Sequence, residues 1–142
     1  MGTFVDSSVL LDIFTEDKRW LAWSQGQLTQ AAKRGAIVLN AVVLAEVSPR
    51  FPRIEDLRAA LPSMAVLDAI PAAAAFLAGH AHADYRRTSG TREAVLPDFL
   101  IGAHAAVTGR PLLTRDPRRV ATYIPGAKLI APPEGPRSSR SW

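Results

Sequence analysis

A chain of 142 residues with 48% hydrophobic and 21% charged content is sized for one domain with a substantial core. It has no cysteine, which excludes disulfides, thiolate metal sites and thiol nucleophiles. The net charge of +4 is carried mainly by arginine, since Lys18, Lys33 and Lys128 are the only lysines among 17 basic residues. Arginine's planar fork grips phosphate through paired hydrogen bonds, so this balance is consistent with a nucleic-acid substrate, although an Ala-, Arg- and Pro-rich composition also arises from coding bias. No apolar stretch is long enough to span a bilayer, and the N-terminus lacks a signal-peptide layout. The expectation is a cytoplasmic protein with no membrane partner.

Thr3 to Val5 reads as a short opening strand, and Ser7 and Ser8 offer N-caps for a helix from Val9 to Phe14. Residues 18–34 carry Trp20, Leu21, Trp23, Leu28, Ala31 and Ala32 at helical spacing, with Gly35 as the stop. Ala36 to Leu39 is a compact buried strand. Asn40 caps the next helix, which holds Glu46 and ends at Pro49 and Pro52. Ile54 to Leu61 reads as a helix stopped by Pro62, and residues 64–70 contain a strand. Pro71 opens an alanine-rich helix to about Tyr85, followed by a polar, basic loop over 86–92. Pro97 opens a helix that Gly109 ends. A strand over 111–114, a helix over 117–123 and a strand over 128–130 complete the pattern. Residues 1–131 form the expected domain, and 132–142 a Pro/Ser/Arg-rich tail. Short apolar strands alternating with helices predict an α/β domain: a central, mostly parallel sheet covered by helices on both faces.

Four acids fall where apolar runs meet turns or helix starts: Asp6, Glu46, Asp98 and Asp116. Ligands of such sheets collect at the carboxyl ends of the strands, and this pattern allows the four to converge there. Together they would make an all-oxygen pocket suited to Mg²⁺ or Mn²⁺. Singly, each has a structural explanation. Asp6 and Asp116 suit N-cap positions, Asp98 suits the positive end of a helix, and Glu46 suits a solvated face, although its apolar neighbours make that less comfortable. Asp12 reads as a surface acid or a neighbour of the site, and His104 as packed among small residues. His80 and His82 are placed near the end of the alanine-rich helix. No histidine pair has zinc spacing, no glycine set forms a phosphate loop, and Ser7 and Ser8 lack a histidine partner for a hydrolase triad.

Val5-Asp6-Ser7-Ser8-Val9-Leu10-Leu11-Asp12, then Ala45-Glu46-Val47, then the run from Leu96 through Asp98 to Ala105, then Leu113-Thr114-Arg115-Asp116 resemble the PIN-domain pattern in order and spacing. The likeness extends over about residues 3–130, and the stretch around Asp98 most resembles VapC-type toxins of bacterial type II toxin–antitoxin pairs, including the FitB-like branch. The resemblance implies a PIN-like three-layer α/β/α fold and a Mg²⁺- or Mn²⁺-dependent endoribonuclease. It also implies a homodimer held inactive by a cognate antitoxin. It assigns Asp6, Glu46, Asp98 and Asp116 as the acidic metal set, Asp6 and Asp98 as the direct ligands, and Thr114 as the accompanying hydroxyl. Phosphate contacts are expected from Arg86, Arg87, Arg92, Arg115, Arg118 or Arg119 on charge and sequence proximity. The alternatives are a catalytically silent RNA- or protein-binding PIN fold, or another metal-dependent phosphodiesterase or DNA nuclease.

Overall fold

The structure, a computed structural model, describes residues 2–89 and 95–133. Arg92 of the proposed phosphate set, and residues 134–142 of the tail, lie outside the described residues. Strands β1 (Thr3–Val5), β2 (Ile37–Leu39), β3 (Ala65–Leu67), β4 (Leu112–Leu113) and β5 (Leu129–Ile130) form one sheet in the order β3-β2-β1-β4-β5, and every pairing is parallel. Phe4 faces Val38 on one side and Leu112 on the other. The three inner strands are buried throughout, which is why they read as continuous apolar runs.

Helices α1 (Ser7–Phe14), α2 (Leu21–Arg34), α3 (Ala41–Val47) and α4 (Ile54–Ala60) fall between β1 and β3. Helices α5 (Ala72–Ser89), α6 (Leu96–Val107) and α7 (Arg118–Tyr123) fall between β3 and β5. The chain builds outward from β1 to β3, then crosses back to place β4 on the other side of β1. Right-handed crossovers in opposite directions put the two helix sets on opposite faces, giving the expected three layers. Contacts follow suit, with α1 against α2 and α3, and α6 against α5 and α7. The direction reverses between β1 and β4, so the crevice for ligands opens at the carboxyl ends of these two strands. Asp6 directly follows β1, and Thr114, Arg115 and Asp116 directly follow β4.

Several boundaries differ from expectation. The alanine-rich helix does not end near Tyr85: α5 runs to Ser89, through four residues expected in the basic loop. Arginine is a good helix former, and nothing before Gly90 stops the helix. Asp84 adds an ion pair to Arg87, and its carbonyl accepts from the Thr88 hydroxyl. His80 and His82 are consequently mid-helix. Helix α2 starts at Leu21 rather than Lys18, because the Asp17 carboxylate accepts from the amides of Arg19 and Trp20 and holds a turn there. Helix α1 starts at Ser7, with Asp6 in the N-cap position but making no side-chain cap bond. Gly35 follows α2 in extended rather than left-handed backbone. Asn40 caps α3 as expected, accepting from the Val43 amide at 3.0 Å.

Two glycines matter for the site. Gly109, at φ +71, supplies the left-handed turn that returns the chain from α6 to β4. Gly102 faces α7, and a Cβ there would lie 2.8 and 2.9 Å from the Val120 methyl groups. The bare backbone lets α7 settle onto α6, which brings the arginines of α7 against the start of α6. Phe51 stacks edge-on against Phe14 at 5.2 Å, and Trp23 packs on the core rim, so both serve the intrachain core.

Candidate active site

A cavity of about 640 Å³ opens at the β1/β4 reversal, bounded by Asp6, Asp98, Thr114, Arg115, Asp116, Arg118 and Arg119, with Leu11, Ile101 and Val120 as apolar floor. Asp6 is fixed by two hydroxyl groups that converge on its Oδ2. Ser8 donates at 2.7 Å and Thr114 at 2.8 Å. Each hydroxyl also accepts a backbone amide, Ser8 from Arg115 at 3.2 Å and Thr114 from Asp116 at 3.1 Å. The turn after β1 and the loop after β4 are thus laced together through one carboxylate. Glu46 is not a wall of the cavity. It approaches from α3 and accepts from the Ser7 hydroxyl at 2.6 Å.

Burial pushes the Asp6 carboxyl above its usual range, the Asp98 charge adds to the rise, and the Ser8 and Thr114 hydroxyls oppose it. Burial likewise raises Glu46, the Ser7 bond lowers it, and the charges of Asp6 and Asp98 raise it further. Three of the four acids therefore share one electrostatic neighbourhood. The fourth, Asp116, lines the cavity with an exposed side chain paired to Arg115 at 3.4 Å.

The arginines divide. Arg119 reaches across from α7 to Asp98 at 2.9 Å, and Arg118 stands beside it at the cavity rim. Arg115 is engaged inward: its Nε and Nη2 donate to both oxygens of Asp12, at 2.9 to 3.2 Å. Arg86 and Arg87 are exposed at the end of α5 and do not line the cavity.

Asp12 corrects the expectation of a surface acid. It is 2% exposed, bonded to Arg115 and to the Ser24 hydroxyl at 2.8 Å, with Trp20 stacked over the guanidinium. Its burial is not legible locally, because the partner lies 103 residues away. His104 is fully buried, between Asn40 at 3.1 Å and Asp68 at 3.0 Å, and Arg110 joins Asp68 at 3.2 Å. Because the Asn40 oxygen is occupied by the Val43 amide, its NH₂ group faces His104. Nδ1 is then the acceptor, and Nε2 carries the proton that Asp68 accepts. The carboxylate of Asp68 is held below its ordinary range, first by this bond and then by the charges around it. Ser7 and Ser8 are the site residues that motif reasoning undervalued. Their signal was two hydroxyls directly after a strand-terminal acid.

Among the described residues, no three acidic or imidazole side chains are arranged to hold one ion. The chemistry of the donors nevertheless fits a hard divalent cation. They are all oxygens, the Asp98 charge raises the proton affinity of Asp6 and Glu46, and a guanidinium already stands as counter-charge to Asp98. Asp6 and Asp98 both line the cavity.

A parallel α/β domain with carboxylates gathered at its strand-order reversal is the class that fold and site define together. A PIN-domain family profile matches residues 3–123, and the chain belongs to the PIN domain family. No curated protein matches the chain at significant sequence similarity. Several solved structures share the fold. VapBC2 from Rickettsia felis, bound to a DNA fragment from its promoter, is 19% identical over 92% of this chain and 98% of that chain, with a TM-score of 0.66. The Mycobacterium tuberculosis toxin VapC20, described as cleaving the sarcin-ricin loop, is 17% identical over 85% and 95%, with a TM-score of 0.59. FitAcB from Neisseria gonorrhoeae is 15% identical over 90% and 96%, with a TM-score of 0.56. No helix among the described residues is long and apolar enough to cross a membrane.

Proposed function

We propose that the chain is a Mg²⁺- or Mn²⁺-dependent endoribonuclease, the toxin of a VapC-type toxin–antitoxin pair on the FitB-like branch. Its partners are RNA, a cognate antitoxin and a second copy of itself, and it works in the cytoplasm. Residues 1–131 form the nuclease domain and 132–142 an appended tail. The observation that carries this reading is the cavity at the β1/β4 reversal, which brings Asp6, Asp98 and Asp116 together under a rim of arginine; burial and the Asp98 charge raise both Asp6 and Glu46 beside it. Family membership supports it, as do structural neighbours that include a toxin–antitoxin complex from Klebsiella pneumoniae and a toxin described as cleaving the sarcin-ricin loop.

Asp6 and Asp98 would hold a divalent cation, which when bound would supply Lewis-acid stabilisation of charge on the phosphate and on the leaving oxygen. The chain's own residues do the rest. Ser8 and Thr114 hold Asp6 in one rotamer as a carboxylate, resisting the proton that burial favours. Glu46 stands behind the cavity wall and acts on the site through Ser7, whose hydroxyl lines the cavity and donates to the Glu46 carboxylate. Arg118 and Arg119 give the phosphate a cationic wall. Asp116, exposed beside them, acts through water.

Among the described residues no three acids form a ready chelate, and this favours a second reading, a PIN fold that binds RNA or protein without cutting. One assay separates the two: cleavage of single-stranded RNA and DNA with Mn²⁺ by wild type and Asp98→Asn, purified identically. RNA cleavage by wild type alone supports the nuclease. Equal activity in both proteins, or none in either, supports the binding module, and preferential cutting of DNA points to a DNA nuclease.

A further inference from the structure

We infer that Arg119 is a built-in competitor for the cation, occupying the positive-charge position at Asp98 until a divalent ion displaces it. The inference rests on the metal-dependent reading above and concerns how that site is regulated. Three observations carry it. Arg119 Nη1 lies 2.9 Å from Asp98 Oδ2, and both side chains are only 39–40% exposed, so the pair sits in the cavity wall rather than in free solvent. Asp98 and Asp6 line the same cavity, yet no three of the described acidic or imidazole groups are set to share one ion, and the Asp98 oxygen is taken by Arg119. Finally, the Arg119 guanidinium carbon lies 5.7 Å from the Tyr85 ring centroid in this same position, so an aromatic face supports the cationic head while it is paired with Asp98.

Helix α7 is held at the right height for this contact by Val120, which fills the space that Gly102 leaves open on α6. The competitor is therefore fixed in register with Asp98 by backbone packing. The consequence is that the cation binds more weakly than its donors allow. It must break a partly shielded ion pair and approach a positive charge. A phosphate group entering the cavity attracts the same guanidinium and would release Asp98, so cation and substrate favour each other's binding.

Mn²⁺ titration followed by electron paramagnetic resonance tests this without reference to turnover, in wild type, Arg119→Gln, Arg119→Lys and Asp98→Asn. The expected result is Mn²⁺ binding about five- to tenfold tighter in Arg119→Gln than in wild type, the size of a partly exposed ion pair plus relief of charge repulsion. Arg119→Lys, which keeps the charge but not the fork, falls between them, and Asp98→Asn binds weakest. Equal or weaker Mn²⁺ binding in Arg119→Gln, with Asp98→Asn still defective, overturns the competitor role while leaving the cation reading intact. No Mn²⁺ binding by any of the four overturns both. Circular dichroism of each variant checks that the fold is retained, and Arg119→Lys keeps the test available if the glutamine variant is destabilised.

Discussion

The Thr114 hydroxyl donates to Asp6 at 2.8 Å although the two residues are 108 positions apart, and through that bond the first and fourth strands present a single site. The same hydroxyl accepts the Asp116 amide, so one small side chain sets both the carboxylate and the loop beside it.

Removing that hydroxyl with little change of shape separates its roles. Thr114→Val is expected to lose about 1 kcal/mol of stability, because the Asp116 amide loses its acceptor and Asp6 keeps only the Ser8 bond. RNA cleavage should fall more than folding does. Urea denaturation beside a cleavage assay measures both, and unchanged cleavage would show that Ser8 alone suffices to hold Asp6.

The sign of the Asp6 effect on stability is fixed by its environment. Its folded carboxyl binds protons more tightly than the ordinary value of 3.8, so ionising it destabilises the fold. That loss begins as pH rises past the unfolded value and is complete above the folded one. With chelator present, Asp6→Asn should therefore melt higher than wild type at pH 7 to 8, and the gap should close on acidification towards 3.8. The same variant should be inactive. A lower Tm at pH 8 would mean that the hydroxyl bonds outweigh burial.

Asp12 and Arg115 make the opposite case, since removing the buried carboxylate leaves a part-buried guanidinium with only the exposed Asp116 as its charge partner. Asp12→Ala is expected to cost about 3 kcal/mol, measured by urea denaturation. The Thr114–Asp116 loop should loosen with it, because Arg115 is what ties that loop to α1.

The buried imidazole gives a prediction on the acid side. Asp68 is held below its ordinary value of 3.8 by the His104 bond, so its contribution is present in full above that value and is lost as pH falls through the lowered folded one. His104→Phe is expected to cost about 2 kcal/mol at neutral pH through two lost hydrogen bonds. The Asp68 carboxyl should then titrate closer to its ordinary value by NMR. An unmoved titration would assign its depression to Arg110 instead.

Helix packing around Gly102 yields a steric prediction. Gly102→Ala is expected to destabilise by about 1–3 kcal/mol and to disturb the Arg119–Asp98 pair, because the new methyl meets Val120. Gly102→Ala combined with Val120→Ala should recover most of the loss, as thermal melts of both variants would show.

The strands and their layering were legible, though not their order in the sheet, because the inner strands are buried on both faces and are bracketed by proline, glycine and capping residues. Asn40 before α3 and Gly109 after α6 are local signals with local physics, and both do what their residue types suggest. The end of α5 was not legible: Arg86 to Ser89 are polar whether helical or not, and the bonds that keep them helical run back to Asp84. Asp6, Glu46 and Asp98 stood out as acids beside apolar runs. Which of them face a cavity, and which arginine answers which acid, depends on contacts between residues far apart in the chain, such as Arg115 with Asp12 and Arg119 with Asp98. Motif spacing carries no record of those pairings.

A crystal grown with Mn²⁺ and read by anomalous scattering tests the central claim most directly. The account predicts a peak in the β1/β4 cavity bonded to carboxylate oxygens of Asp6 and Asp98, with the Arg119 guanidinium moved away from Asp98. Mn²⁺ bound only elsewhere on the surface, with Arg119 still on Asp98 and the cavity empty at saturating metal, would contradict it.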